Sequence, residues 1–166
     1  IALRHKPHAV CIVPEKREER TTEGGLDVAR DENRLAHYIA PLREAGSRVS
    51  IFIGAEEHQL NAAHRIGAQV VELHSGAYCD YYHEGRYNEA DVELAKLREM
   101  TTYGHSLGLE MHVGHGLTYD TVGSVAAFPE VMELNIGHFL IGESIFRGLA
   151  PAMAEMRRLM DDARGL

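Results

Sequence analysis

Five short runs rich in Val, Ile and Leu punctuate this chain: Ala9–Val13, Val49–Ile53, Val70–Leu73, Leu109–Val113 and Val131–Ile136. Each is too short for a helix, and its branched residues suit a strand. Longer amphipathic stretches separate and follow them: Asp27–Ala45, Glu56–Ile66, Asn88–Leu107, Thr118–Ala127 and Ser144–Ala163. Strands alternating with helices in this way restrict the chain to an α/β fold with a parallel sheet. Gly46, Gly67 and Gly108 each stand between a helical stretch and the next strand, the usual place of a helix C-terminal stop. Pro41 falls inside the first helical stretch and is expected to kink it or end it early.

Alternation within the strands selects the architecture. Val71 and Leu73 share one face while Glu72 and His74 share the other; Met111 and Val113 oppose Glu110, His112 and Gly114; Leu134 and Ile136 oppose Glu133, Asn135 and Gly137. An open doubly wound sheet covers both faces with helices and tolerates few polar residues on either. A (β/α)₈ TIM barrel turns one face inward, toward a catalytic mouth at the strands' C-terminal ends. Five units in 166 residues are about 33 residues each, near the ~30 of a βαβ repeat. Eight units take typically ~250 residues. The expectation is therefore one domain, residues 1–166, holding units 4–8 of a barrel whose units 1–3 are absent, with Ile1–Pro7 as the tail of the third unit's helix.

Charge and composition remove several functions. The net charge of −8 argues against a nucleic-acid-binding surface. It leaves anionic substrates open, because backbone N–H groups at a helix start can hold a phosphate. No apolar run approaches the ~20 residues of a membrane span, and Ile1–His8 lacks the apolar segment of a signal peptide, so a cytoplasmic location is expected. Two cysteines, Cys11 and Cys79, form no metal or redox motif; Cys11 reads as a small buried hydrophobe, with a disulfide left open.

Four segments carry chemistry. Pro14–Val28 is a long polar loop after the first strand, where Gly24–Gly25 offer a lid hinge and Thr21 and Thr22 could donate to substrate oxygens; a solvated loop ending in an Asp27 helix cap is the plainer reading. Glu72, at a strand end before His74, is either an acid/base or cation-holding carboxylate or a structural ion-pair partner, and His74 alone reads as structural. Gly114-His115-Gly116-Leu117-Thr118-Tyr119 places a proton carrier between two glycines, with Gly116 able to turn its N–H to a phosphate and Thr118 capping the next helix. Asn135-Ile136-Gly137-His138 opens a helical stretch one unit later; paired loops of this kind hold phosphate in many barrels.

Other readings stay open. His74, His112, His115 and His138 all lie at strand ends, and three could bind zinc as in a metal-dependent barrel hydrolase, although the flanking glycines fit phosphate better. A non-catalytic, phosphate-binding half-barrel is the third possibility. The Tyr-rich stretch Tyr78–Tyr87 reads as a surface or subunit-contact loop.

In order and spacing, VPEKREERTTEGGLDV, VVELHSG, GHGLTY and ELNIGHFLIG, with the tail MAEMRRLM, resemble the pyridoxine 5′-phosphate synthases over nearly the whole chain. The resemblance implies a cytoplasmic transferase of vitamin B6 biosynthesis. It would condense 1-deoxy-D-xylulose 5-phosphate with 3-amino-2-oxopropyl phosphate, giving pyridoxine 5′-phosphate, phosphate and water. No metal or organic cofactor is implied, and the expected assembly is a homo-oligomer, an octamer in the family. It implies roles for His115 as proton donor, Glu72 as stabiliser of a cationic transition state, Gly116, Gly137 and His138 as the phosphate site, and Thr21 as a substrate-binding residue, with Thr22 beside it.

The family's other catalytic His and Glu come from the second and third strands, and several binding residues from the first two units; none has a counterpart here. The 166 residues alone are thus expected to show no turnover. Gly54 stands where the family usually has Asp, His112 where Asn is common, and the segment around Tyr78–Tyr87 looks longer than usual.

Overall fold

The computed structural model describes residues 1–19, 21 and 24–166. Thirteen principal elements follow one another: α1 (Ala2–His5), β1 (Ala9–Ile12), α2 (Glu32–Glu44), β2 (Arg48–Ile53), α3 (Glu57–Arg65), β3 (Val70–His74), α4 (Gly76–His83), α5 (Tyr87–Ser106), β4 (Glu110–Gly114), α6 (Tyr119–Ala126), β5 (Val131–Asn135), α7 (His138–Arg147) and α8 (Leu149–Arg164). All five expected strands are present. They form one parallel sheet in sequential order, β1-β2-β3-β4-β5. A doubly wound sheet reverses its strand order part-way; this one does not, as in a singly wound barrel wall.

The two faces differ as the alternation requires. Val49, Ile51, Ile53, Val71, Leu73, Met111 and Val113 are fully buried under helix residues such as Leu35, Ile39, Leu60 and Leu97. Each such side chain contributes about 1.5–3 kcal/mol by leaving water. The opposite face carries Arg48, Ser50, Phe52, Glu72, His74, Glu110 and His112. Several of its polar groups pair with one another: Arg48 with Glu110, His112 Nε2 with Glu110 Oε1 at 2.8 Å, and His112 Nδ1 with Glu133 Oε1 at 3.6 Å.

Glycines 46, 67 and 108 adopt φ of +89°, +83° and +85° at the helix ends where stops were expected. Other boundaries differ. α2 starts at Glu32 rather than near Asp27, because the preceding residues are tied to the sheet and to α3. Leu26 N–H donates to the Phe52 carbonyl at 2.8 Å, and the buried Gln59 amide accepts from Val28 and Ala29 while donating to Asp27. The helix then passes Pro41 without stopping, held by buried Leu35, Ile39 and Leu42. The C-terminal stretch is two helices broken at Gly148, φ +85°. Tyr78–Tyr87 is not a loop. Most of it is α4, with Tyr78 and Cys79 packed in the core and the Tyr78 hydroxyl donating to the Thr121 carbonyl at 3.4 Å. Among the described residues no helix is long and apolar enough to cross a membrane.

Candidate active site

The carboxyl ends of β3, β4 and β5, with the loops that follow them, surround a cavity of about 760 Å³. Glu72, His74, His115, Gly116, Asn135, Gly137 and His138 all line it, with Val13, Pro14 and Gly24 from the loop after β1 and Phe52 from β2. Five of the six residues singled out from sequence, Glu72, His115, Gly116, Gly137 and His138, thus meet in one place. The sixth, Thr21, does not line the cavity. Its N–H donates to the Gly25 carbonyl and its carbonyl accepts from the Gly24 N–H, and Thr21 Oγ1 is buried with no hydrogen-bond partner among the described residues. Thr22 lies outside the described residues.

Glu72 owes its place to what its neighbours lack. A side chain at Gly114, on the adjacent strand β4, would overlap Glu72 Oε1. Burial raises the Glu72 carboxyl above the ordinary carboxylate range. The Cys11 thiol, the charge of His112 and the Asn135 amide oppose that rise in part. Cys11 is not the buried hydrophobe expected from its apolar run. Strand alternation turns it to the inner face in register with Ser50, where it is exposed and its Sγ lies 3.7 Å from Glu72 Oε2. Both cysteines are free thiols.

His115 adopts φ +77°, a left-handed conformation that costs a non-glycine residue energy and is concentrated at functional sites. Gly116 follows at φ +87°. The Ser75 hydroxyl lies 2.8 Å from both the Gly114 and His115 carbonyls and shares its one proton between them, which fastens the turn to β3's end. Thr118 caps α6 as expected, its N–H donating to Thr121 Oγ1 at 2.9 Å. Gly137 is the N-cap of α7 and His138 its first residue, so the helix's unpaired N–H groups open at the cavity.

His74, read from sequence as structural, lines the cavity beside His115. Its ring stacks on His115 with centroids 4.6 Å apart and contacts Phe52 at 5.0 Å. Asn135 and Phe52 were also missed. Asn135 was legible as an inner-face residue beside Gly137, whereas nothing in sequence marked Phe52. His112 turns away to Glu110 and Glu133 and does not line the cavity, whereas His74, His115 and His138 do. Among the described residues no group of three or more His, Cys, Asp or Glu is placed to hold a metal ion.

The family model described as Pyridoxal phosphate biosynthesis protein PdxJ matches residues 1–162. The chain belongs to the PdxJ family. PdxJ relatives include the pyridoxine 5′-phosphate synthases of Roseobacter denitrificans, 77% identical, and Ruegeria pomeroyi, 78% identical, each over 164 residues. That of Rhodospirillum rubrum is 60% identical over 163 residues. These alignments cover 98–99% of this PdxJ chain but only 64–66% of each relative, so the chain spans a little under two thirds of their length.

Proposed function

We propose that this chain is the C-terminal five-unit part, units 4–8, of a (β/α)₈ barrel that acts as a pyridoxine 5′-phosphate synthase. The observation that carries this reading is the convergence of Glu72, His115, Gly116, Gly137 and His138 on one cavity at the strands' carboxyl ends. Family membership supports it, as do the names of the relatives. The sheet ends at β1 and β5, and neither edge has a strand partner among the described residues. Ile141, Ile145, Phe146, Leu149 and Met153 on α7 and α8 are exposed, an apolar face that further barrel units would cover.

The roles follow from position. The N–H groups at Gly116 and the start of α7 bind a substrate phosphate, using the positive end of the helix dipole. His115, at the cavity wall, gives a proton during ring closure. Glu72 holds its charge opposite the cationic imine-derived centre, where a buried carboxylate interacts strongly. Thr21 binds substrate from the loop after β1. No cofactor is required, the protein works in the cytoplasm, and it assembles as a homo-oligomer.

The test joins the first third of the Ruegeria pomeroyi relative to Ile1 and supplies 1-deoxy-D-xylulose 5-phosphate with 3-amino-2-oxopropyl phosphate. Pyridoxine 5′-phosphate and phosphate should appear in equal amounts. A folded chimera that makes neither contradicts the proposal. Its sedimentation should be that of an oligomer, and a monomer at all concentrations would contradict the assembly.

A further inference from the structure

We infer that Cys11 is a positioning residue for Glu72: its thiol donates to Oε2 and thereby aims Oε1 at the substrate cavity. This inference rests on the reading of Glu72 as a catalytic carboxylate.

Glu72 lies on β3 and Cys11 on β1, with β2 between them. The two side chains meet because Ser50, in register with Cys11, is small and leaves the inner face open. The Cys11 Sγ to Glu72 Oε2 distance of 3.7 Å is hydrogen-bonding range for sulfur. On the other side, the missing side chain of Gly114 makes room for Oε1. The Cys11 thiol thus holds one oxygen and Gly114 leaves space for the other, with the Asn135 amide a further hydrogen-bond partner of the carboxylate.

Cys11 stays a donor. Although Cys11 as a residue is exposed, its sulfur sits against Glu72 and Ser50, and this local burial with the Glu72 charge pushes the thiol up to about 11, so it carries its proton at neutral pH. A thiol donor favours the charged carboxylate without adding a charge of its own, unlike a Lys or Arg in its place. Other groups facing Glu72 include His112 from β4 and Glu133 and Asn135 from β5. From β2, Arg48 is engaged by Glu110. Cys11 is therefore the donor supplied from the β1 side, and it lies outside the cavity lining, where it would act through Glu72 rather than on substrate.

The experiment is a carbon-13 NMR titration of the Glu72 carboxyl, its signal assigned by its loss in Glu72→Gln. It compares the unaltered chain with Cys11→Val, which has no donor, and Cys11→Ser, which restores one. Val should move the midpoint upward and Ser should bring it back toward the original value. In the completed protein, Cys11→Val should lower kcat by about tenfold with KM little changed, and Ser should recover most of it. An unchanged midpoint in Cys11→Val, or a Ser variant shifted as far as Val, overturns the inference. Absence of synthase activity in the completed but otherwise unaltered protein overturns the functional reading instead, and the titration still decides the Cys11–Glu72 link. Cys11 is exposed on the inner face, so neither variant removes core packing.

Discussion

His74 stacks on His115 with ring centroids 4.6 Å apart and planes inclined by 27°. The Gly76 N–H donates to His74 Nδ1 at 3.1 Å, and a side chain at Gly76 would overlap the His74 ring. The Gly-rich turn after β3 thus fixes one imidazole, which in turn supports the other. In the completed protein, His115→Ala should lower turnover by about 10²–10⁴, the usual cost of one acid–base group. His74→Ala should cost less, about tenfold, and act mainly on kcat. Steady-state kinetics check both. Equal losses from the two variants would mean that His74 itself exchanges the proton.

Gly114→Ala places a methyl group where Glu72 Oε1 now sits. The carboxylate must turn away, so turnover should fall nearly as far as in Glu72→Gln. Overpacking of this kind costs about 1–3 kcal/mol of stability. Urea unfolding beside the activity assay separates the two effects. A fully active Gly114→Ala would show that the Oε1 position is not needed.

The raised Glu72 pKa gives a sign for stability. The unfolded chain's glutamate titrates near 4.5, and the folded one higher. Between those two values the folded state holds more protons than the unfolded state, so stability falls as pH rises through the window. Below it the carboxyl is neutral in both states and the burial penalty is absent. Urea midpoints of the unaltered chain from about pH 4 to about pH 7 should carry a downward component that Glu72→Gln lacks. Parallel profiles would contradict the buried, charge-disfavouring setting.

Burial pushes both thiols up to about 11. Thiolate is the reactive form, so neither Cys11 nor Cys79 should alkylate quickly at neutral pH in the folded protein. Exposed Cys11 should speed up as pH approaches its raised value, while core Cys79 should react only on unfolding. Mass spectrometry after timed iodoacetamide treatment reads both. Rapid neutral-pH modification of Cys79 would contradict its packing between Ser75 and Thr121.

Much of this was legible in the residues because hydrophobic periodicity reports burial directly. The five strands and the polar inner face followed from alternations such as Val71–Leu73 against Glu72–His74. GHG and NIGH marked the cavity because glycine-flanked turns at strand ends are local features. What escaped depends on contacts between distant segments. Cys11 looked like core until its register with Ser50 placed it on the inner face. The loop end at Asp27–Ala29 is bonded by Gln59, 30 or more residues away, so no local pattern could show that α2 begins late. Tyr78 reads as part of a surface loop because its partner, the Thr121 carbonyl, comes from another unit.

The central claim is that these five units supply part of a synthase site and need the remainder of a barrel to work. It is tested most directly by assaying pyridoxine 5′-phosphate formation by the 166-residue chain alone and by the same chain joined to the first third of its Ruegeria pomeroyi relative. The account predicts no product from the chain alone and steady turnover from the joined protein, lost again in His115→Ala. Turnover by the isolated chain, or none by a folded joined protein, would contradict it.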